Sequence, residues 1–190
     1  MPGVERTYYS ADKVIRESGV DNDTQPIPVE FLQAITGSGL PPGELTVKVG
    51  CPLILLRNLA PSQGLCNGTR MVVLQMAERV LKVMLIGEDH HGQTAFIPHI
   101  TLIPPESPDH AFSFSRRQFP VRLAFALTIN KAQGQSAKYV GLDLRVPVFA
   151  HGQLYVGLSR ATSRSRIKIL IDPEEDSNII HNVVYPEVLL

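Results

Sequence analysis

LAFALTINKAQGQS, residues 123–136, passes from apolar residues into a cluster of amides, a lysine, a glycine and a hydroxyl, with no aspartate or glutamate. The pattern predicts a helix over 123–134 ended by Gly134, because glycine tolerates the left-handed conformation that a helix terminus often needs. Downstream, KYVGLDL (138–144) reads as a strand, HGQLYVGLSRAT (151–162) as a second helix from about Gly152, and RIKILI (166–171) as a closing strand. Helix and strand in alternation predict a parallel α/β sheet, and ligands of such sheets sit at the polar ends of the strand–helix units.

Upstream the texture differs. VGCPLILLRNL (49–59), TRMVVLQM (69–76), VLKVMLIG (80–87) and TAFIPHITLI (94–103) are apolar or alternating runs, separated by GLCNG (64–68) and GEDHHGQ (87–93). Short strands joined by tight turns predict a small β-barrel between about Thr69 and Pro120. Residues 1–43 are rich in Pro, Gly, Ser and Asp and read as a connecting arm, with one short helix at EFLQAIT (30–36).

With 190 residues, 44% of them hydrophobic, the chain can bury a full core. Cys51 and Cys66 are too few for a disulfide framework, and no apolar run follows Met1-Pro2-Gly3. These features lead us to expect an intracellular, reducing compartment and no membrane span. His90, His91 and His99 with the two cysteines lack the spacing of a closed zinc site, so no metal site is expected.

Net charge is zero, but its distribution is lopsided. Residues 111–170 hold ten basic residues (Arg116, Arg117, Arg122, Lys131, Lys138, Arg145, Arg160, Arg164, Arg166 and Lys168) against the single acid Asp143. Such a segment builds either a positive face for polyanions or a merely solvated basic surface.

Two stretches carry candidate chemistry. In the first, Lys131 can place a charge on a phosphate, while Thr128, Asn130, Gln133, Gln135 and Ser136 can donate to phosphate oxygens or ribose. On composition alone, a polar helix C-cap explains it equally well. In the second, Leu154, Leu158 and Ala161 share the side of a helix suited to burial, and Tyr155 and Ser159 line an adjacent side. Arg160 then falls near the polar end, where a planar guanidinium suits the charge on a transferring phosphate. An isolated Ser-Arg pair is more commonly a surface arginine in an ion pair.

Together, the order and spacing of these stretches resemble the fifth and sixth motifs of superfamily-one DNA helicases of the petite-integration-frequency (Pif) type and their Helitron-transposon relatives. RTYYSAD (6–12), LPPGELTVKVGCPLILLRNLAPSQGLCNGTR (40–70) and RRQFPVRLAFALTINKAQGQS (116–136) carry the resemblance further. It implies an α/β fold: a second RecA-like, P-loop NTPase-type motor domain (44–68 and 120–172) with an inserted Src-homology-3 (SH3)-like β-barrel (69–119) and a tail (173–190). By the same resemblance Thr128, Asn130, Lys131 and Ser136 contact single-stranded DNA. Gln133, Gly134 and Gln135 link that contact to the nucleotide, Arg160 is the arginine finger, and Gln153, Tyr155 and Ser159 position its helix. Asn130 stands where many Pif-type proteins carry histidine and is typical of the Helitron branch, which for a eukaryote implies the nucleus.

No G-x-x-x-x-G-K-[ST] loop occurs in the sequence. The nearest imitation of an acidic Mg²⁺-holding pair, Glu88-Asp89, reads as a hairpin turn. With that loop missing, the resemblance implies the C-terminal motor half of a 5′-to-3′ helicase, using ATP and Mg²⁺ only with a first RecA-like domain that carries the Walker A motif. The competing reading is a non-catalytic nucleic-acid-binding module or a transposon-derived remnant.

Overall fold

The computed structural model describes residues 3–15, 27–37, 39–86, 90–105, 112–172 and 179–188. Two compact units are formed, by residues 1–125 and 126–190. In chain order the first contains β1 (Glu5–Tyr9), β2 (Ala11–Ile15), helix α1 (Val29–Ala34), β3 (Glu44–Lys48), β4 (Pro52–Leu55), β5 (Arg70–Met76), β6 (Val80–Leu85), β7 (Thr94–Pro98), β8 (Ile100–Leu102), β9 (Ser113–Gln118) and β10 (Val121–Leu123).

Apolar alternation places these strands. In β6, Leu81, Val83 and Leu85 are buried and the residues between them are not, the period of two expected of a sheet with one covered face. They meet Leu53, Met71, Val73 and Phe119 in the main core. Each such side chain contributes about 1.5–3 kcal/mol by leaving water.

The expected closed barrel is not formed among the described residues. The strands make an open five-stranded sheet in the order β10-β4-β5-β6-β7, a three-stranded sheet β2-β9-β8 and the pair β1-β3. The chain leaves β7 at His99, and β8 ladders with β9 instead of returning to β10. The expected seam between residues 68 and 69 separates two strands of one sheet, since β4 and β5 pair through Pro52↔Val72, Leu53↔Met71 and Ile54↔Arg70. The expected arm is likewise built in, with β1 against β3 and β2 against β9.

One ion pair ties these elements together. Arg116 on β9 has no exposed surface, and its Nη2 lies 2.8 Å from Oδ2 of Asp12 on β2, whose side chain is also fully buried. The remaining guanidinium N–H groups donate to the carbonyls of Leu32, Ile35 and Pro41. The last turn of α1 is thereby capped by a charged donor, which satisfies carbonyls that a helix end leaves without partners. Arg116 thus leaves the set of basic residues available to a polyanion.

The second unit contains β11 (Val140–Asp143), α2 (Gln153–Leu158) and β12 (Ile167–Leu170). The two strands pair in parallel, from Val140↔Ile167 to Asp143↔Leu170, as the alternation of helix and strand leads one to expect. Leu142, Leu144 and Val148 form its core, with Ile129, Leu154, Ile180 and Val183 packed against them. Part of the expected tail therefore belongs to the unit. Tyr185 adds a bond from its backbone N–H to Nδ1 of His151, at 3.1 Å. Residues 173–178 of that tail, and Glu88-Asp89, lie outside the described residues.

The helix expected over 123–134 does not form. Leu123 ladders with Leu53, the Ala124 N–H donates to Pro52, and only Asn130–Ala132 make a single 3-10 turn. Phe125, 64% exposed, contributes nothing to a buried helix face. Helical apolar spacing in the sequence is overridden here by sheet pairing at the N-terminal end of the segment.

Candidate functional site

The second unit brings the two motif stretches into direct contact. At one end of the amide-rich stretch, the Lys131 N–H points to Thr128 Oγ1 at 3.4 Å and the Ala132 N–H donates to the Thr128 carbonyl at 3.1 Å. Gln135 folds its side chain back, donating from Nε2 to the Lys131 carbonyl at 3.1 Å. Gly134 has φ of 76°, a conformation that side chains with a Cβ rarely take, and it turns the chain at that point. Thr128, Asn130, Lys131, Gln133, Gly134 and Ser136 are all exposed, and Gln135 is half-buried. The result is an exposed polar turn with one ammonium group and no carboxylate of its own.

α2 carries the second stretch. Gln153 binds at its start, where Oε1 accepts from the N–H groups of Phe149 and Ala150 at 3.0 and 3.3 Å. This side chain ties the segment before α2 to the first turn of the helix. The close packing of α2 falls on Gly157 and not on Leu158, which is 40% exposed. A Cβ at Gly157 would stand 3.0 Å from Leu142 Cδ1, so the glycine lets α2 lie directly on β11. Tyr155 projects outward at 72% exposure and touches neither Arg160 nor the polar turn through any hydrogen bond among the described residues.

Arg160 joins the two stretches. Its Nε donates to the Val156 carbonyl at 2.8 Å, Nη1 to the Gln135 carbonyl at 2.8 Å and more weakly to that of Ala132 at 3.4 Å, and Nη2 to Ser159 Oγ at 2.8 Å. Its own carbonyl accepts from the Ala137 N–H at 3.0 Å, and Ala137 and Ala161 form an isolated parallel bridge. Every acceptor is neutral. The half-buried guanidinium therefore keeps its full charge while being held in one orientation, a condition suited to an incoming anion. Ser159 is directly bonded to it, whereas Tyr155 is not.

The other nearby charges differ. Arg145 and Asp143 are paired at 2.6 Å, and that contact holds the exposed Asp143 carboxyl at about 2. The pair sits at the end of β11, where Asp172 also acts on Arg145. Arg164, Arg166 and Lys168 remain exposed.

Known proteins match this chain in fold and in sequence. A solved Pif1 helicase from Candida albicans superposes with a TM-score of 0.63 at 28% identity, over 90% of this chain and 40% of that one. The fold class is thus that of the RecA-like helicases. A solved Bacteroides Pif1 bound to single-stranded DNA superposes with a TM-score of 0.61 at 23% identity, covering 90% of this chain and 37% of that one. By sequence, the family described as DNA helicase Pif1, 2B domain, matches residues 30–76. That stretch begins in α1 and ends in β5, so it overlaps the expected insert (69–119) only at its start. The ATP-dependent DNA helicase PIF1 of Mus musculus is 35% identical over 150 residues, 72% of this chain and 21% of the relative. The human protein is 33% identical over 155 residues, again 72% and 21%. This chain belongs to the Pif1-type helicase family. It spans about a fifth of the length of those relatives.

Proposed function

We propose that the chain is the C-terminal motor segment of a 5′-to-3′ Pif-type DNA helicase, closest to the Helitron branch, and that it works with a first RecA-like domain carrying the phosphate loop. The observation that carries this reading is the Arg160 guanidinium, bonded at once to the α2 segment and to the carbonyls of the polar turn. A residue placed there communicates between a strand held by the turn and a nucleotide held across a cleft.

The donor set fits a phosphate. Arg160 has only neutral partners, and the turn around Lys131 has no carboxylate. Bound ATP supplies the phosphoanhydride whose cleavage drives the motor. Arg160 orients toward its terminal phosphate by exchanging the Ser159 hydroxyl and the Gln135 carbonyl for phosphate oxygens, and so stabilises developing charge as an arginine finger. Loss of the Gln135 contact frees the turn, whose Thr128, Asn130, Lys131 and Ser136 grip the DNA backbone. Gln133 and Gln135 relay the change, while Gln153 and Ser159 keep the helix in place. In this reading the Mg²⁺ ligands belong to the phosphate-loop domain.

The test is Arg160→Ala in a protein that carries this segment together with a phosphate-loop domain. Loss of about 10³-fold or more in DNA-stimulated ATP turnover is expected, and unchanged turnover contradicts the assignment. A second reading is a nucleic-acid-binding module with no motor partner, which the exposed polar turn around Lys131 also suits. It predicts salt-sensitive DNA binding that is indifferent to nucleotide.

A further inference from the structure

Strand alternation in the first unit sorts its conspicuous residues onto two faces. Tyr8, Ser10 and the Asp12 side chain are buried, as are Arg116 and Gln118. The intervening Tyr9, Ala11 and Arg117 face outward, with Ala11 and Arg117 directly opposite each other in the β2–β9 ladder. Ala11 is too small to cover the guanidinium beside it. A second edge comes from the β6–β7 ladder: Val80 pairs with Pro98, which brings the flanking Arg79 and His99 together. These residues, with Glu78, line an open cleft of about 410 Å³.

Its chemistry is asymmetric. Arg79 and Arg117 make no ion pair or hydrogen bond to any side chain among the described residues, although Glu78 lies on the same rim. The His99 ring lies against Phe119, with centroids 3.8 Å apart, and is half-buried between the arginines. Burial, then Arg117, then Arg79 hold its imidazole below the usual histidine range. The Tyr9 ring is 65% exposed and lies on the same rim. Two unpaired guanidiniums beside a bare aromatic face make a place for a phosphate and an adjoining base.

We propose that this cleft binds single-stranded nucleic acid, with a backbone phosphate between Arg79 and Arg117 and a base against Tyr9. Its residues are separate from the 128–136 turn, so the assignment goes beyond the strand contact proposed above and does not depend on it. A polymer suits the site better than a free nucleotide, because the rim is exposed, whereas small-molecule sites enclose roughly 70–90% of their ligand. A phosphate between the arginines also offsets their repulsion of a protonated His99.

The test uses the full 190-residue chain and a labelled oligothymidylate of roughly 15 nucleotides. By fluorescence anisotropy, Arg79→Ala with Arg117→Ala is expected to weaken binding roughly tenfold and to flatten the plot of log K against log salt by about 0.7, the loss of one neutralised phosphate. Tyr9→Ala weakens binding without changing that slope. Both arginines are exposed, so folding is not at stake, and a second measurement needs no variant. In the wild-type chain, the NMR titration midpoint of His99 rises when the oligonucleotide is added. An unchanged slope in the double variant, an unmoved His99, or no binding at all overturns the proposal. So does an equal rise in the His99 midpoint with inorganic phosphate at matched ionic strength, which assigns the cleft to small anions. Binding abolished by Lys131→Ala but untouched by the double variant sinks the cleft and leaves the motor reading intact.

Discussion

Arg116 and Arg160 both sit in motif-like sequence, and the two units use them in opposite ways. Arg116 is fully buried, faces the buried carboxylate of Asp12, and spends its other donors on three carbonyls around α1. Arg160 is half-buried and faces only carbonyls and a hydroxyl. Both are held rigidly, but only one is neutralised. A guanidinium matched by a buried carboxylate is committed to the fold, whereas one held by neutral acceptors retains its charge for a ligand.

This contrast can be broken most sharply by measuring both substitutions on both scales. In a protein that also carries the phosphate-loop domain, Arg160→Ala should lower turnover by about 10³-fold. Its effect on unfolding in urea should be small, about 1 kcal/mol, because the lost bonds are partly exposed and water replaces them. A large loss of stability with little loss of turnover would reverse the roles. Arg116→Ala should destabilise the first unit by about 3–5 kcal/mol, since it strands the Asp12 charge and three carbonyls away from water. Asp12→Ala should fall in the same range, and a cost near zero for either would show that the pair is not a fold determinant.

A smaller effect is expected from pH. The His99 imidazole is held below its ordinary range by burial and by Arg117 and Arg79. Below the ordinary value the unfolded chain takes up a proton that the folded chain still refuses. Stability from this group is therefore present above roughly pH 6.5 and is lost as pH falls through the folded-state value. Urea midpoints of the first unit should drop between about pH 7.5 and pH 5.5, and Arg117→Ala should shrink the drop. An unchanged drop in that variant would remove Arg117 as a cause.

Legibility in the sequence followed the same division. Strands β5, β6 and β7 and the parallel pair β11 and β12 were readable because apolar residues recur at the spacing of the element they form, and so was the start of helix α2, but not its end at Leu158 or its packing on Gly157. β1 and β2 were not readable, because Ser10 between them and Asp12 in β2 point inward and look like loop residues until their surroundings are known. The partner of Asp12 lies 104 residues away, a relation that no local pattern carries. The helix expected over 123–134 failed for the converse reason, a local helical spacing overruled by pairing of Leu123 with Leu53. At the site, Arg160 and the amide-rich turn were recognisable as types. Their direct bonding was not legible, nor was the face shared by Tyr9 and Arg117, although outward Arg117 between inward Arg116 and Gln118 is the alternation that points to it.

The most direct test of the account is ATP hydrolysis by the purified 190-residue chain with Mg²⁺, with and without single-stranded DNA. A segment that contributes an arginine and a strand grip, but no phosphate loop, should show no turnover in either condition. DNA-stimulated turnover that survives further purification and disappears in Arg160→Ala would contradict it, because the chain would then complete a nucleotide site from its own residues.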